Sequence, residues 1–186
     1  ALPISIGSFT VTSGDFLANS TVGLGVTGPI SAKNVALSAP TLTVGGEIAS
    51  SGTSAVLTAG AGGIALNSGT LSNPVLVDLS ATGGGVTQTA SHVIETATLR
   101  SSSGVVGTVA LNGTANSIAS LGTFAVTTGD FILQDAASLT VAGAVSAGNV
   151  TIAAADLKVQ NTISATGTAP AGKVVLSGGA GGTGGI

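Results

Sequence analysis

The 186-residue sequence contains no cysteine, methionine, tryptophan or tyrosine, so four phenylalanines are its entire aromatic content. Without cysteine there can be no disulfide framework, no thiolate metal site and no cysteine nucleophile. Charge is equally scarce. Charged residues make up 6% of the chain, against about 25% in an average soluble domain. The cations Lys33, Arg100, Lys158 and Lys173 form no basic patch for a phosphate backbone, and aromatic platforms for unpaired bases are missing, so no nucleic-acid partner is expected. Long apolar runs are absent too. Ser101 to Gly129 carries no charge, but its apolar residues alternate with Ser, Thr, Gly and Asn, which is not the unbroken run of about twenty that a membrane helix needs. The amino end, Ala1 to Ser5, has neither a positive segment nor an apolar one, so any signal peptide is expected to lie outside this stretch.

What is present is abundant Val, Ile, Leu, Ala, Thr and Ser with 30 glycines, and a mean hydropathy of +0.67. Such a chain is too apolar to stay disordered. Its strongest feature is an internal repeat. A shift of 115 places Gly7–Thr53 on Gly122–Thr168 without a gap, with 20 of 47 positions identical. Phe9 meets Phe124, Gly14-Asp15-Phe16 meets Gly129-Asp130-Phe131, and Asn34-Val35 meets Asn149-Val150. After an insertion at Ala169 to Lys173, Val56-Leu57 meets Val175-Leu176 and the Gly60–Gly63 turn meets Gly179–Gly182. The chain therefore reads as one continuous segment, 1–186, with a long unit over about 6–120 and a second, partial unit over 121–186. Both ends fall mid-pattern, which predicts a longer parent protein.

A shorter period of about 18 or 19 residues runs inside the long unit: Leu139, Val141 and Val145 are followed by Leu157, Val159 and Ile163. Triplets such as Val150-Thr151-Ile152 and Leu157-Lys158-Val159 alternate apolar and polar side chains, which a strand turns into an inner and an outer face. Helix is not indicated, because Glu, Lys, Arg, Gln and Met are scarce or absent and Val, Thr, Ile and Ser dominate. The fold expected is all-β: a parallel β-solenoid with about 18–19 residues per coil, roughly ten coils and a length of about 45 to 50 Å. In that register Val141 faces a dry interior, and Phe9, Phe16, Phe124 and Phe131 pack in one wider coil.

The LTV-like and NVTI-like triplets (Leu139-Thr140-Val141, Asn149-Val150-Thr151-Ile152), the short period and the Ala59–Leu66 run together resemble the repeat region of filamentous-haemagglutinin-like exoproteins. The resemblance covers nearly the whole chain. It implies a right-handed parallel β-helix, secreted by a Gram-negative bacterium through a dedicated outer-membrane partner pore, and serving as an adhesive or biofilm fibre. The family's secretion domain with its Asn-Pro motifs is not present; Asn73-Pro74 is the only such dipeptide and stands in other surroundings.

Catalysis on polysaccharides, the common chemistry of parallel β-helices, needs paired carboxylates or a carboxylate with calcium and arginine. The acids are Asp15, Glu47, Asp78, Glu95, Asp130, Asp135 and Asp156, and they are sparse. Asp15 and Asp130 are equivalents that follow Gly before a strand, and are read as turn residues. Asp135 and Asp156, little more than one short period apart, could meet on adjacent coils as a weak calcium pair, while His92, the lone histidine, reads as a surface residue. The glycine runs Gly60–Gly63 and Gly178–Gly185 hold no aspartate for calcium and are followed by no lysine and helix for phosphate, so they are read as turns. No catalytic, cofactor or metal residues are assigned and no enzyme is expected. The expected function is a structural or adhesive extracellular fibre segment whose partners are its own copies or neighbouring repeats, host or matrix glycans, and the secretion pore. The alternative is a carbohydrate-active β-helix enzyme or a carbohydrate-binding module; ice binding lacks the regular Thr-x-Thr ladder it would require.

Overall fold

The computed structural model describes residues 2–167 and 172–179, and every regular element in them is a β-strand. Short strands of two to twelve residues follow one another around an axis, each pairing in parallel with counterparts on neighbouring turns. One column of stacked positions runs through the whole object: Ile4, Leu24, Leu42, Ile64, Val86, Val109, Phe131, Val150 and Val174. Nine stacked positions enclose eight turns, which at about 4.8 Å each make a rod of roughly 38 Å.

Two further columns run beside it, and in the last turns Phe124, Val145 and Ile163 stack in a separate three-stranded sheet. Phe9, Ile30, Ile48, Leu71 and Ile94 form the second. Phe16, Val35, Ala55, Val77, Leu99, Leu121, Val141 and Val159 form the third. The alternation in the sequence does what a pleat requires. Val35, Leu37 and Ala39 point in and are buried, while Ala36 and Ser38 between them are partly exposed. Branched aliphatics dominate the interior because each must rest on a near-copy of itself one rung away, and Val, Ile and Leu fill that spacing without leaving gaps.

The number and length of turns differ from the sequence reading. Leu42 stacks on Leu24 and Leu157 on Leu139, which is the short period of the sequence. The steps from Leu42 to Ile64, from Val86 to Val109 and from Val150 to Val174 are each longer by four to six positions. The count is therefore eight turns instead of ten, because the short period read from the repeated stretches does not extend through the middle of the chain. The surplus residues sit at corners. Between Ala39 and Thr41 on one turn and Ala59 and Gly63 on the next, the upper chain carries extra residues, Gly60 to Gly62, and Gly63 takes a φ of 69°. That left-handed conformation is open to Gly at little cost. The turn expected at Gly60–Gly63 is thus a corner inside the strand run Ala55–Leu66; of the run Gly178–Gly185, residues beyond 179 lie outside the described residues.

The long repeat survives in three dimensions. Phe9 and Phe16 pack with ring centroids 4.9 Å apart and tilted by 52°, and Phe124 and Phe131 repeat this at 5.0 Å and 55°. The pairings repeat as well: Phe16 lies on Val35 as Phe131 lies on Val150, at the same offset along the chain. Yet Phe16 belongs to the third column and Phe131 to the first. From Phe16 the third column rises five turns to Leu121, and Phe131 lies one face further on. The 115-residue unit is therefore five turns and one additional face, so its second copy is turned about the rod axis relative to the first.

Val141 is fully buried between Leu121 and Val159. Val141→Asp puts an unpaired carboxylate into that dry column, so we expect a loss of about 3 to 5 kcal/mol and fraying of the neighbouring turns. Limited proteolysis should cut the variant between about residues 120 and 165 under conditions where the parent chain stays intact.

Candidate functional site

Aspartate and asparagine organise one corner of the rod. The Asp130 carboxylate accepts the backbone N–H and the side-chain amide of Asn149 one turn above, both at 2.9 Å, and Asn149 Oδ1 accepts Lys173 N–H at 2.9 Å. The first copy has the same ladder: Asn34 Nδ2 donates to Asp15 at 2.7 Å, while Asn34 Oδ1 accepts Thr53 and Ser54 N–H at 2.8 and 3.1 Å. The local turn role expected of these aspartates is corrected: their partners lie one coil away, so they bind successive coils to each other and do not close their own loops.

A second polar group lies inside the rod, and it contains His92. The surface position expected for this residue is wrong: His92 is fully buried. The side chains of Gln88 and His92 both point inward while Thr89, Ala90 and Ser91 between them are exposed, and Gln88 Nε2 lies 3.3 Å from the His92 ring and donates to its carbonyl at 3.0 Å. Asn116 on the next turn is the hub. It accepts from Gln88 at 2.7 Å and from Ile94 N–H at 2.8 Å, and it donates to the Gln88 side chain and to the Gln134 carbonyl. Asp135 follows immediately, buried, with Oδ1 accepting Ile118 N–H at 3.2 Å. Two atoms of this group, His92 Nε2 and Asp135 Oδ2, have no partner among the described residues. Burial therefore pushes the two titrations in opposite directions: His92 down to about 4 and Asp135 up to about 6, the latter against the pull of three backbone N–H groups.

Asp135 and Asp156 are not brought together as a calcium pair. Asp135 points into the interior, whereas Asp156 is exposed and accepts Ser138 Oγ at 3.2 Å. Among the described residues no three His, Cys, Asp or Glu side chains gather where they could hold a metal ion.

A third polar site sits on the outer face of the strand Thr70–Ala81. Asp78 and Ser80 point outward yet are buried, because the loop Ser101–Ser103 folds over them. Asp78 accepts Arg100 Nε at 2.8 Å, Ser102 N–H and Oγ at 3.1 Å each, and Ser80 Oγ at 3.2 Å. A buried carboxylate with four donors is held firmly. Beside it lie two shallow clefts. One, about 510 Å³, runs past Asn73, Glu95, Thr96 and Ser117; the other, about 570 Å³, runs past Thr98, Arg100, Ser120 and Thr123. Each has one charged residue among hydroxyls and small side chains, and neither brings two carboxylates together.

Neither the interior group nor the covered Asp78 was found from the sequence, and the reason is the turn length. Arg100 follows Asp78 by one wide turn, so a period of 18 or 19 does not align them. A scan at 22 would have stacked them as well as Val77 on Leu99. Comparison of the chain with protein-family models, with curated proteins and with solved structures finds no match.

Linkage makes the interior group testable. Between pH 6.5 and about 4 the unfolded chain protonates its histidine and the folded one does not, so His92 removes stability as pH falls. Between about pH 6 and 3.8 the folded chain protonates Asp135 and the unfolded one does not, so Asp135 adds stability as pH falls. The two nearly cancel. Urea unfolding at pH 6.5, 5.5 and 4.5 should show a small slope in the parent, a fall of about 1.4 kcal/mol per pH unit on acidification in Asp135→Asn, and a rise of similar size in His92→Asn. A second expectation concerns the ion pair: Arg100→Ala removes one of four donors to Asp78 from a half-exposed side chain and should cost about 1 kcal/mol, measured by the same unfolding.

Proposed function

We propose that this chain is a non-catalytic structural and adhesive segment of an extracellular bacterial repeat protein. The observation that carries the reading is the use made of its acids. Asp15, Asp78, Asp130 and Asp135 each accept hydrogen bonds from a neighbouring turn, and so hold turns together instead of standing free in a cleft. The outward rows support the same reading. Ser5, Gly25, Thr43, Ala65, Thr87, Ala110, Ile132, Thr151 and Val175 run the length of one face without a charge. A surface of that kind lets rods lie close side by side, because little like-charge repulsion separates them.

The resemblance to filamentous-haemagglutinin-like exoproteins supplies the setting of this proposal: export through an outer-membrane pore, display at the cell surface or in a biofilm matrix, and contact with copies of itself or with host glycans. A carbohydrate-active enzyme or binding module is the second reading, favoured by the two clefts at Glu95 and Arg100. Its weakness is chemical. Glycoside cleavage by the usual route takes two carboxyl groups flanking one bond, and each cleft offers at most one acid.

Electron microscopy of native material separates the two. The fibre reading expects filaments with an axial spacing near about 4.8 Å and no release of reducing ends from polysaccharides. Compact single particles that depolymerise an acidic glycan would replace it with the second reading.

A further inference from the structure

The second copy of the repeat shows what the first turn of the first copy is built to rest on. Phe124 and Phe131 are completely buried because a turn lies beneath them, whereas their equivalent Phe9 is 50% exposed and Phe16 only partly covered. The covering turn is Thr98–Leu111. Leu99 lies under Leu121, Val105 under Val126, and Val109 and Leu111 under Phe131 and Leu133. Its backbone is bonded upward as well: Ser101, Val105 and Val109 N–H donate to the carbonyls of Thr123, Ala125 and Asp130, and Gly122, Thr127 and Thr128 N–H donate down to Leu99, Val105 and Val106. The first turn carries the same surface, with Ile6, Val11, Phe16 and Ala18 at the equivalent apolar positions. Ser8, Thr10 and Asp15 supply the carbonyls, and Gly7, Thr12 and Ser13 the amides. Among the described residues its strands pair only with the turn above.

We propose that the open edge of the first turn is a docking surface for the Thr98–Leu111 turn of another copy of the long unit, and that each unit so added is turned about the axis by one face. The upper end of a unit is then complementary to its own lower edge, so units add head to tail. The turning follows from the five turns and one face that a unit occupies. Three units bring the original face back after about sixteen turns, roughly 77 Å of rod. Features carried by the unit are thus displayed in succession around the fibre and not along one side. This rests on the fibre reading above, but its test needs no filament and can fail separately.

The test joins residues 1–121 directly to residues 7–186, which lengthens the full chain by one long unit and sets Leu121 before Gly7 as it normally stands before Gly122. A single tryptophan replacing Phe16 of the second unit reports docking, since the chain has no other. Its emission should be blue-shifted relative to Phe16→Trp in the 186-residue chain. Phe16→Lys should lower the melting midpoint by about 10 °C or more in the lengthened chain when placed in the second unit, and by only a few degrees in the parent chain. For the turning, a cysteine at Leu17 of the second unit should form a disulfide with Ala110→Cys of the first, because Ala110 lies under Ile132, the equivalent of Leu17. It should not form one with Arg100→Cys. Equal emission in the two chains, or separate melting of the two units, overturns the docking; a disulfide to position 100 in place of 110 overturns the turning.

Discussion

The ladder of parallel hydrogen bonds between successive turns is the constraint on which the rest of this structure depends. Each backbone group on a face bonds to a turn above or below, so the rise per turn is set by the strand spacing and cannot vary. Every inward side chain must then rest on its counterpart one rung away. That is why the columns are built from Val, Ile and Leu, and why a Phe at one position of the third column is followed by Val and Ala in the next two turns. A charge placed in a column has no water to retreat to and no partner within reach.

What the ladder forbids on the faces it allows at the corners. Short and long turns stack on one another because the surplus is confined to places where no face register is disturbed. The Gly60–Gly62 corner and the bulge at Pro74–Val75, opposite Ala97, both do this. The same freedom lets the loop Ser101–Ser103 leave the wall and cover Asp78, and lets the exposed turn at Thr89–Ser91 aim the Gln88 and His92 side chains inward. Among the described residues, this nearly uncharged rod keeps its buried ionisable groups beside such corners. Asp78 and Asp135 are each met there by donors from a different turn.

Those polar groups tie the turns together in a way the aliphatic columns alone do not. A column of Val and Ile tolerates a slip of one long unit, since the pattern recurs. The Asn116 hub, the Asp78–Arg100 pair and the two Asp–Asn corners each bond a particular residue on one turn to a particular residue on the next. Specific polar bonds between turns, buried at Asn116 and Asp78 and nearer the surface at the Asp–Asn corners, favour one register over its near-copies. Repetition supplies the stack and these contacts select its alignment.

Much of this was legible in the amino-acid sequence, for a physical reason: in a solenoid, each residue's neighbours are fixed by a nearly constant sequence offset, so periodicity reports contact directly. The all-β parallel architecture, the inward position of Val141, the matched Phe pairs and the long repeat follow from that offset alone. The sequence also placed Asp15 and Asp130 at equivalent corners before a strand, but not their bonds to the asparagine one coil away. Where the offset changes, the reading ends. The wider turns in the middle of the chain, the burial of His92, the cover over Asp78 and the separation of Asp135 from Asp156 depend on how corner residues fold in space, and corners carry no period. The tertiary structure alone decided that the long unit is not a whole number of turns, because that depends on adding up every corner along the way.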